Sequence, residues 1–234
     1  MANLTSDLEL VGEKIRTSFL AKHAARDKAI KSSRDAIYKC STSIRAVHRG
    51  EYELAKSLAD SAKALLDEVS EAIAEHDDLR YTGFVHDSQK EYAEACITLA
   101  LISGRAIPDP DELGVGYSSY LNGLGEAAGE LRRHVLDAMR RGELERCEEI
   151  LGMMDDIYGL LVTIDFPDAM TGGLRRTTDM VRGVLERSRG DLTVALRQKE
   201  LETKLEAFKE TLMAEGHNQN LKPLRDQLPG SGKI

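Results

Sequence analysis

Tryptophan is absent from the sequence, aromatic residues make up only 5% of it, and five prolines are spread over 234 residues. No segment shows the strict alternation of apolar and polar residues that is typical of a half-buried β-strand. Hydrophobic residues make up 41% of the chain and charged residues 31%, which suits a soluble domain with a sizeable core. The composition therefore predicts a soluble, all-α protein.

Cysteine is also scarce. The three cysteines, Cys40, Cys96 and Cys147, form no C-x-x-C pair and have no histidine at metal-ligand spacing. Such isolated cysteines are typical of reduced, buried thiols in a cytosolic protein. The N-terminal residues are polar and acidic, unlike a signal peptide, and no apolar run approaches the length of a membrane span. We therefore expect a cytoplasmic protein without membrane contact.

Charge is distributed unevenly along the chain, whose net charge is −8. Residues 1–50 contain ten Lys/Arg and five Asp/Glu, a net of +5, whereas residues 51–100 contain four and twelve, a net of −8. A basic arm beside an acidic centre fits a protein that holds a polyanion with one part and metal ions with the other. It equally fits ordinary helices with solvated faces.

Apolar spacing predicts long helices joined by short connections. Ile30, Ile37 and Ile44 repeat every seven residues, which indicates a helix packed lengthwise on its partners. Two nearby prolines predict a loop at 107–114. Further predicted segments are helices at about 117–141 and 143–164, one domain over residues 1–216, and a disordered tail over 217–234.

Two of the predicted helices carry stripes of acidic side chains at helical spacing. The first helix is apolar over most of its circumference, so we expect its stripe to lie in a crevice between helices. Two facing stripes would form a divalent-metal site, and the alternative is a pair of solvated faces. The stripes are Asp87, Glu91, Glu94 and Thr98 in the first helix, and Glu145, Glu149 and Asp156 in the second.

Four short motifs occur in a fixed order over roughly residues 10–190. They are K-E-Y-A-E-A at 90–95, Y-L-x-G followed by E-L-x-R (Tyr120, Leu121, Gly123, Glu130, Leu131, Arg133), R-x-G-E with a later aromatic (Gly142, Glu143, Tyr158), and L-R-R-x-x-D (Leu174, Arg175, Arg176, Asp179). In these motifs the chain resembles the translin family, in particular its branch of translin-associated factor X.

The resemblance implies an all-α protomer of about seven helices that assembles into a hollow octamer. It also implies a Mg²⁺-dependent endoribonuclease that cuts RNA inside the cavity. Carried over residue by residue, the catalytic and metal-binding acids would be Glu91, Glu94, Glu145 and Glu149. Glu145 stands where the X-type protein has Asp, so metal preference or rate could differ. Carboxylate oxygens suit Mg²⁺ or Mn²⁺, which activates a water for attack on phosphorus.

RNA contacts are predicted at Arg80, His86 and Lys90, which lie on or just before the first acidic helix. The alternative for Lys90 and His86 is that they are simple solvated side chains. Basic residues of the N-terminal region and Arg132, Arg133, Arg140 and Arg141 are further candidates for RNA or subunit contacts.

Three functions fit the sequence. The leading one is a metal-dependent endoribonuclease that acts on single-stranded or partly structured RNA as a homo-oligomer. The second is a non-catalytic translin-like protein that binds single-stranded RNA or DNA. The third is another all-α carboxylate-metal enzyme, such as a nucleotide pyrophosphohydrolase. A ferritin-like protein is disfavoured, because neither acidic helix has a histidine three residues after a ligand glutamate.

Overall fold

A computed structural model describes residues 4–219 of the chain, and within that range it consists of helices and connecting turns without a strand. The expected all-α class is confirmed. The α-helices are α1 (Leu4–His48), α2 (Tyr52–Ala72), α3 (Gly83–Ser103), α4 (Pro110–Leu113), α5 (Tyr117–Arg141), α6 (Leu144–Val162), α7 (Asp168–Thr171) and α8 (Leu174–Gln219), and a 3₁₀ turn spans Asp77–Leu79.

Helices α1 and α2 form an antiparallel hairpin. The turn between them needs Gly50, whose φ of 76° is costly for other residues. The hydroxyl of Ser43 donates to the carbonyl of Ala55 at 2.7 Å, which shows how closely the helices approach. Small buried residues make this close approach possible. Of Ile30, Ile37 and Ile44, which the sequence predicts as packing positions, only Ile44 is buried. The buried line of α1 contains Ala29, Ser33, Ala36, Cys40, Ser43 and Val47.

Helix α3 is the central helix of the core, because α1, α2 and α5 all pack on it. Its residues from Ile97 to Ile102 are all buried, as their apolar character predicts. The chain runs in the same direction in α3 and α5. Ser119 donates to the carbonyl of His86, and further along both helices Lys90 donates to Glu126. Helix α6 then packs on α5. Of the predicted acidic stripe, Glu94 is buried between these helices and Glu91 is half-buried, whereas Asp87 is exposed.

Several predicted boundaries agree with the structure. Helix α5 spans the predicted range, and α6 ends two residues before the predicted 164. The predicted loop at 107–114 contains the single turn α4, which starts at Pro110 and is capped by Asp109. Helix α8 reaches Gln219, so residues 220–234 of the predicted tail lie outside the described part of the chain.

The chain divides into two compact units, one ending at Arg189 and the other beginning at Gly190. The first unit contains α1 to α7 and the start of α8, and all carboxylates and basic side chains considered below belong to it. The second contains the remainder of α8. Among the described helices, none has a stretch apolar and long enough to cross a membrane.

Candidate metal centre

Three glutamates meet where α3 and α5 cross. Glu91 and Glu94 project from α3 and Glu126 from α5, and each offers a carboxylate oxygen within 4.8 Å of the other two. Gly123 explains the approach, since a Cβ there would lie 2.6 Å from the carbonyl oxygen of Lys90. Glu126 follows Gly123 by three residues and so shares its face of the helix. A close helix crossing therefore assembles the cluster.

The cluster concentrates negative charge in a partly dry place. Glu94 is only 8% exposed. Burial, and then the charges of Glu91 and Glu126, raise the pKa of Glu94 to about 8. Burial also raises the pKa of Glu91, against the opposing charge of Lys90. A divalent cation would relieve this repulsion, and an oxygen-only set of donors suits Mg²⁺ or Mn²⁺. The residues present thus fit such an ion.

One cation of the protein already lies at the edge of the cluster. The ammonium of Lys90 is 2.7 Å from Glu126 and 3.6 Å from Glu91. Burial opposes its charge, but the hydrogen bond to Glu126 and the charges of the nearby carboxylates together outweigh this effect and raise the pKa of Lys90. Lys90 therefore remains charged beside the carboxylates, where it can attract a phosphate.

A fourth carboxylate, Glu130, follows Glu126 by one turn of α5. It is bonded to the ring of His48, the last residue of α1, with 2.5 Å between His48 Nε2 and Glu130 Oε2. This hydrogen bond lowers the pKa of Glu130. The charge of Glu130 in turn contributes to the raised pKa of Glu94. Glu130 is thus electrostatically part of the cluster.

Glu145 and Glu149, which the sequence predicts as the second acidic pair, lie apart from this cluster. Both are exposed on α6, and Glu149 pairs with Arg146 at 2.7 Å. Arg146 also donates to the carbonyl of Ile102, eight residues beyond Glu94 and hence about 12 Å along α3. Helix α6 packs on α5, and the structure places α5 rather than α6 against the α3 glutamates. The expected facing of the two acidic stripes is therefore corrected to α3 and α5.

Sequence reasoning missed Glu126 and Glu130 as site residues, although a signal for them is present. They are four residues apart, so they lie on one stripe of α5, and Glu126 follows Gly123 of the Y-L-x-G motif at helical spacing. A glycine inside a helix marks a close approach of another element. Together, Gly123 and the stripe of Glu126 and Glu130 could have identified α5 as the helix that packs on α3.

The predicted RNA-contacting residues separate into two groups. His86 and Lys90 line a cavity of about 440 Å³ that also borders Glu126, whereas Arg80 is not among its lining residues and lies 3.4 Å from Asp77. The cavity is also lined by Arg176 of the L-R-R-x-x-D motif, which sequence reasoning did not assign to the site. The cavity adjoins the carboxylates and presents cationic groups, as a phosphate site requires.

Known proteins provide independent comparisons. No family profile matches the chain. An uncharacterized protein of Methanocaldococcus jannaschii is 30% identical over 185 residues, which cover 77% of this chain and 80% of that protein. The AfC3PO structure in complex with duplex RNA is similar at 30% identity and a TM-score of 0.73, covering 80% of this chain and 96% of that one. AfC3PO in its own crystal structure gives 31% identity and a TM-score of 0.73, with 80% and 97% covered. Apo-NeC3PO gives 22% identity and a TM-score of 0.66, with 83% and 98% covered, and so supports the fold alone.

Proposed function

The chain belongs to the translin family, that of the C3PO structures it resembles, and on this basis we propose that it is a metal-dependent endoribonuclease. One observation carries the proposal: Glu91, Glu94 and Glu126 bring their carboxylates within 4.8 Å of one another. Beside them lies the cavity with Lys90 and Arg176, which can take the RNA backbone. A carboxylate cluster that can hold a metal ion, beside a cationic cavity, suits metal-dependent cleavage of a phosphodiester.

In this proposal the three glutamates hold Mg²⁺ or Mn²⁺. The ion, when bound, supplies Lewis acidity and activates water near neutral pH. Lys90 neutralises charge at the edge of the cluster and attracts a non-bridging phosphate oxygen, while His86 and Arg176 orient the neighbouring backbone. The low exposure of Glu94 excludes water from one side of the cluster. The chemistry requires neither a histidine nor a cysteine nucleophile.

RNA is the proposed substrate. The similarity to AfC3PO, which was solved with duplex RNA, supports RNA binding by this fold. We extend this to single-stranded or partly structured RNA, with single-stranded DNA as a weaker ligand. We also propose that the chain works as a homo-oligomer, a hollow octamer in the form that the family resemblance implies, in the cytoplasm.

The experiment is cleavage of an end-labelled RNA with Mg²⁺, with Mn²⁺ and with EDTA. We expect wild-type protein to cut only with metal, and the double variant Glu94→Gln, Glu126→Gln to lose about 100-fold in rate. The matched control is Glu145→Gln, Glu149→Gln, which also removes two glutamates and should cut normally. Both variants must first retain the oligomeric mass of the wild type. Equal loss in the control, or unchanged cutting by the cluster variant, would place the chemistry elsewhere.

A second function is favoured by one contact. Because the ammonium of Lys90 already lies against Glu126 and Glu91, the cluster is partly neutralised without a metal. A translin-like protein that binds RNA without cutting it would have such an internal counter-ion. This alternative would be favoured if the same RNA stayed uncut with Mg²⁺, with Mn²⁺ and with EDTA, while a gel-shift assay showed that the protein binds it under all three conditions.

A further inference from the structure

His48 connects the end of α1 to the carboxylate cluster. Its side chain is only 5% exposed, and its Nε2 lies 2.5 Å from Oε2 of Glu130. Among the described residues, that carboxylate also lies 3.9 Å from the exposed side chain of Arg133. A buried imidazole thus makes the short contact to Glu130, and an exposed, flexible guanidinium makes the long one. The orientation of Glu130 therefore depends mainly on His48.

The contact fixes one oxygen of Glu130 and leaves the other available. Glu130 lies one turn beyond Glu126 on the same stripe of α5, and its charge acts on Glu94. Its side chain is only 26% exposed, so it is largely shielded from water. A glutamate side chain has three rotatable bonds, and its freedom to rotate is lost when it binds a ligand. A hydrogen bond that already holds the side chain in one orientation lowers this entropy cost of binding.

Two buried polar atoms have no hydrogen-bond partner among the described residues. They are Nδ1 of His48 and Oγ1 of Thr98, which lies one turn beyond Glu94 on α3. Buried polar atoms are nearly always paired, so atoms without a protein partner indicate an ordered water or ion. The ring of His48 and the turn of α3 that follows Glu94 therefore each carry a buried polar atom that the described part of the protein does not satisfy.

We propose that His48 is a positioning residue for the metal site: its hydrogen bond holds Glu130 so that the free oxygen completes the set of carboxylates formed by Glu91, Glu94 and Glu126. The inference rests on the proposed function in taking a divalent cation as the ligand. Partners that orient ligating carboxylates typically change metal affinity or activity by about 10- to 100-fold when removed. His48 acts through Glu130 and does not touch the ion.

The test compares His48→Gln with His48→Asn. The amide of glutamine reaches the position of Nε2 and can still donate to Glu130, whereas the shorter asparagine cannot. Mn²⁺ binding to the RNA-free protein is measured by the loss of the free-ion signal in electron paramagnetic resonance. We expect binding within about twofold of wild type for His48→Gln and about tenfold weaker for His48→Asn. The RNA cleavage rate at limiting Mg²⁺ should follow the same order.

His134→Asn is the matched control, because its ring is half-buried and lies 6.4 Å from that of His48. It should bind Mn²⁺ like the wild type. Glu130→Gln should weaken binding at least as much as His48→Asn, and adding His48→Asn to Glu130→Gln should cause no further loss. Equal affinity in His48→Gln and His48→Asn, or additive losses in the double variant, would overturn the inference. If wild-type protein binds Mn²⁺ and His48→Asn weakens that binding, but the protein cuts no RNA, the proposed function fails and the inference stands.

Discussion

Glu94 is the most deeply buried carboxylate in the part of the chain that the structure describes. Its pKa in the folded protein is raised to about 8 by burial and by neighbouring carboxylates, whereas in the unfolded chain it titrates at its ordinary, lower value. At a pH between these two pKa values, Glu94 is protonated in the folded protein and ionised in the unfolded chain. The free energy of unfolding must therefore fall as pH rises through that window.

We expect the metal-free protein to melt a few degrees lower at pH 8 than at pH 6, because Glu94 must ionise beside Glu91 and Glu126. Glu94→Gln should remove this part of the pH dependence, since an amide does not titrate. Thermal unfolding in EDTA measures both proteins. Added Mn²⁺ should recover stability at pH 8, where the carboxylates are ionised. A variant with the pH dependence of the wild type would show that Glu94 is not the titrating group.

Residue types and spacing identified half of the candidate site. Glu91 and Glu94 were predicted because they share a stripe of a helix that is otherwise apolar, and the structure buries that helix. Glu145 and Glu149 share a stripe equally well, but periodicity describes one helix at a time and does not state which helix faces it. Their exposure on α6 follows from tertiary packing, which the pattern does not contain.

At the scale of elements, the crossing of α3 and α5 determines the site. A Cβ at position 123 would lie 2.6 Å from the backbone oxygen of Lys90 and 2.9 Å from Cβ of Ala93. Neither atom belongs to a flexible side chain, so the helices would have to separate. Since Glu126 is on α5 and its two partners are on α3, separation would widen the cluster as well as cost packing.

Gly123→Ala should therefore destabilise the protein by about 1–3 kcal/mol and reduce metal-dependent cleavage at a temperature where it is still folded. Gly129→Ala is the control on the same helix, because a Cβ there meets nothing within 4 Å. That substitution should stabilise the helix by about 0.5–1 kcal/mol and leave cleavage intact. Denaturant unfolding and the cleavage assay measure the two effects. If the two alanine variants gave the same stability and the same cleavage rate, the close approach of α3 and α5 at Gly123 would have no role in forming the site.

Element boundaries were easier to predict than element partners. Helix α5 ends at Arg141 because Gly142, with a φ of 77°, caps it, and this is a local signal. The predicted seam of Ile30, Ile37 and Ile44 was a weaker guide, since the more deeply buried positions of α1 are alanines, serines and a cysteine. Small residues carry little hydrophobic signal, although they allow the closest helix packing.

For the whole molecule, composition predicted the all-α class, and family motifs predicted the fold. Composition does not predict how subunits assemble, because subunit contacts depend on which side chains lie on the surface. The second unit presents apolar side chains in one row of α8: Leu201, Leu205, Phe208 and Leu212 are each more than half exposed. Their spacing places them on a single stripe of the helix. An exposed row of large apolar side chains is typical of an interaction surface.

If that stripe joins copies of the chain in the proposed homo-oligomer, charge placed on it should dissociate them. We expect Leu205→Glu, Phe208→Glu to have a clearly lower mass than the wild type in light scattering, because the glutamates would be desolvated in the interface. Thr203→Glu is the control, since Thr203 is exposed on the opposite side of the same helix. The stripe has no role in self-association if the double variant keeps the mass of the wild type. Loss of RNA cleavage together with loss of mass would further show that the carboxylate cluster works only within the assembly.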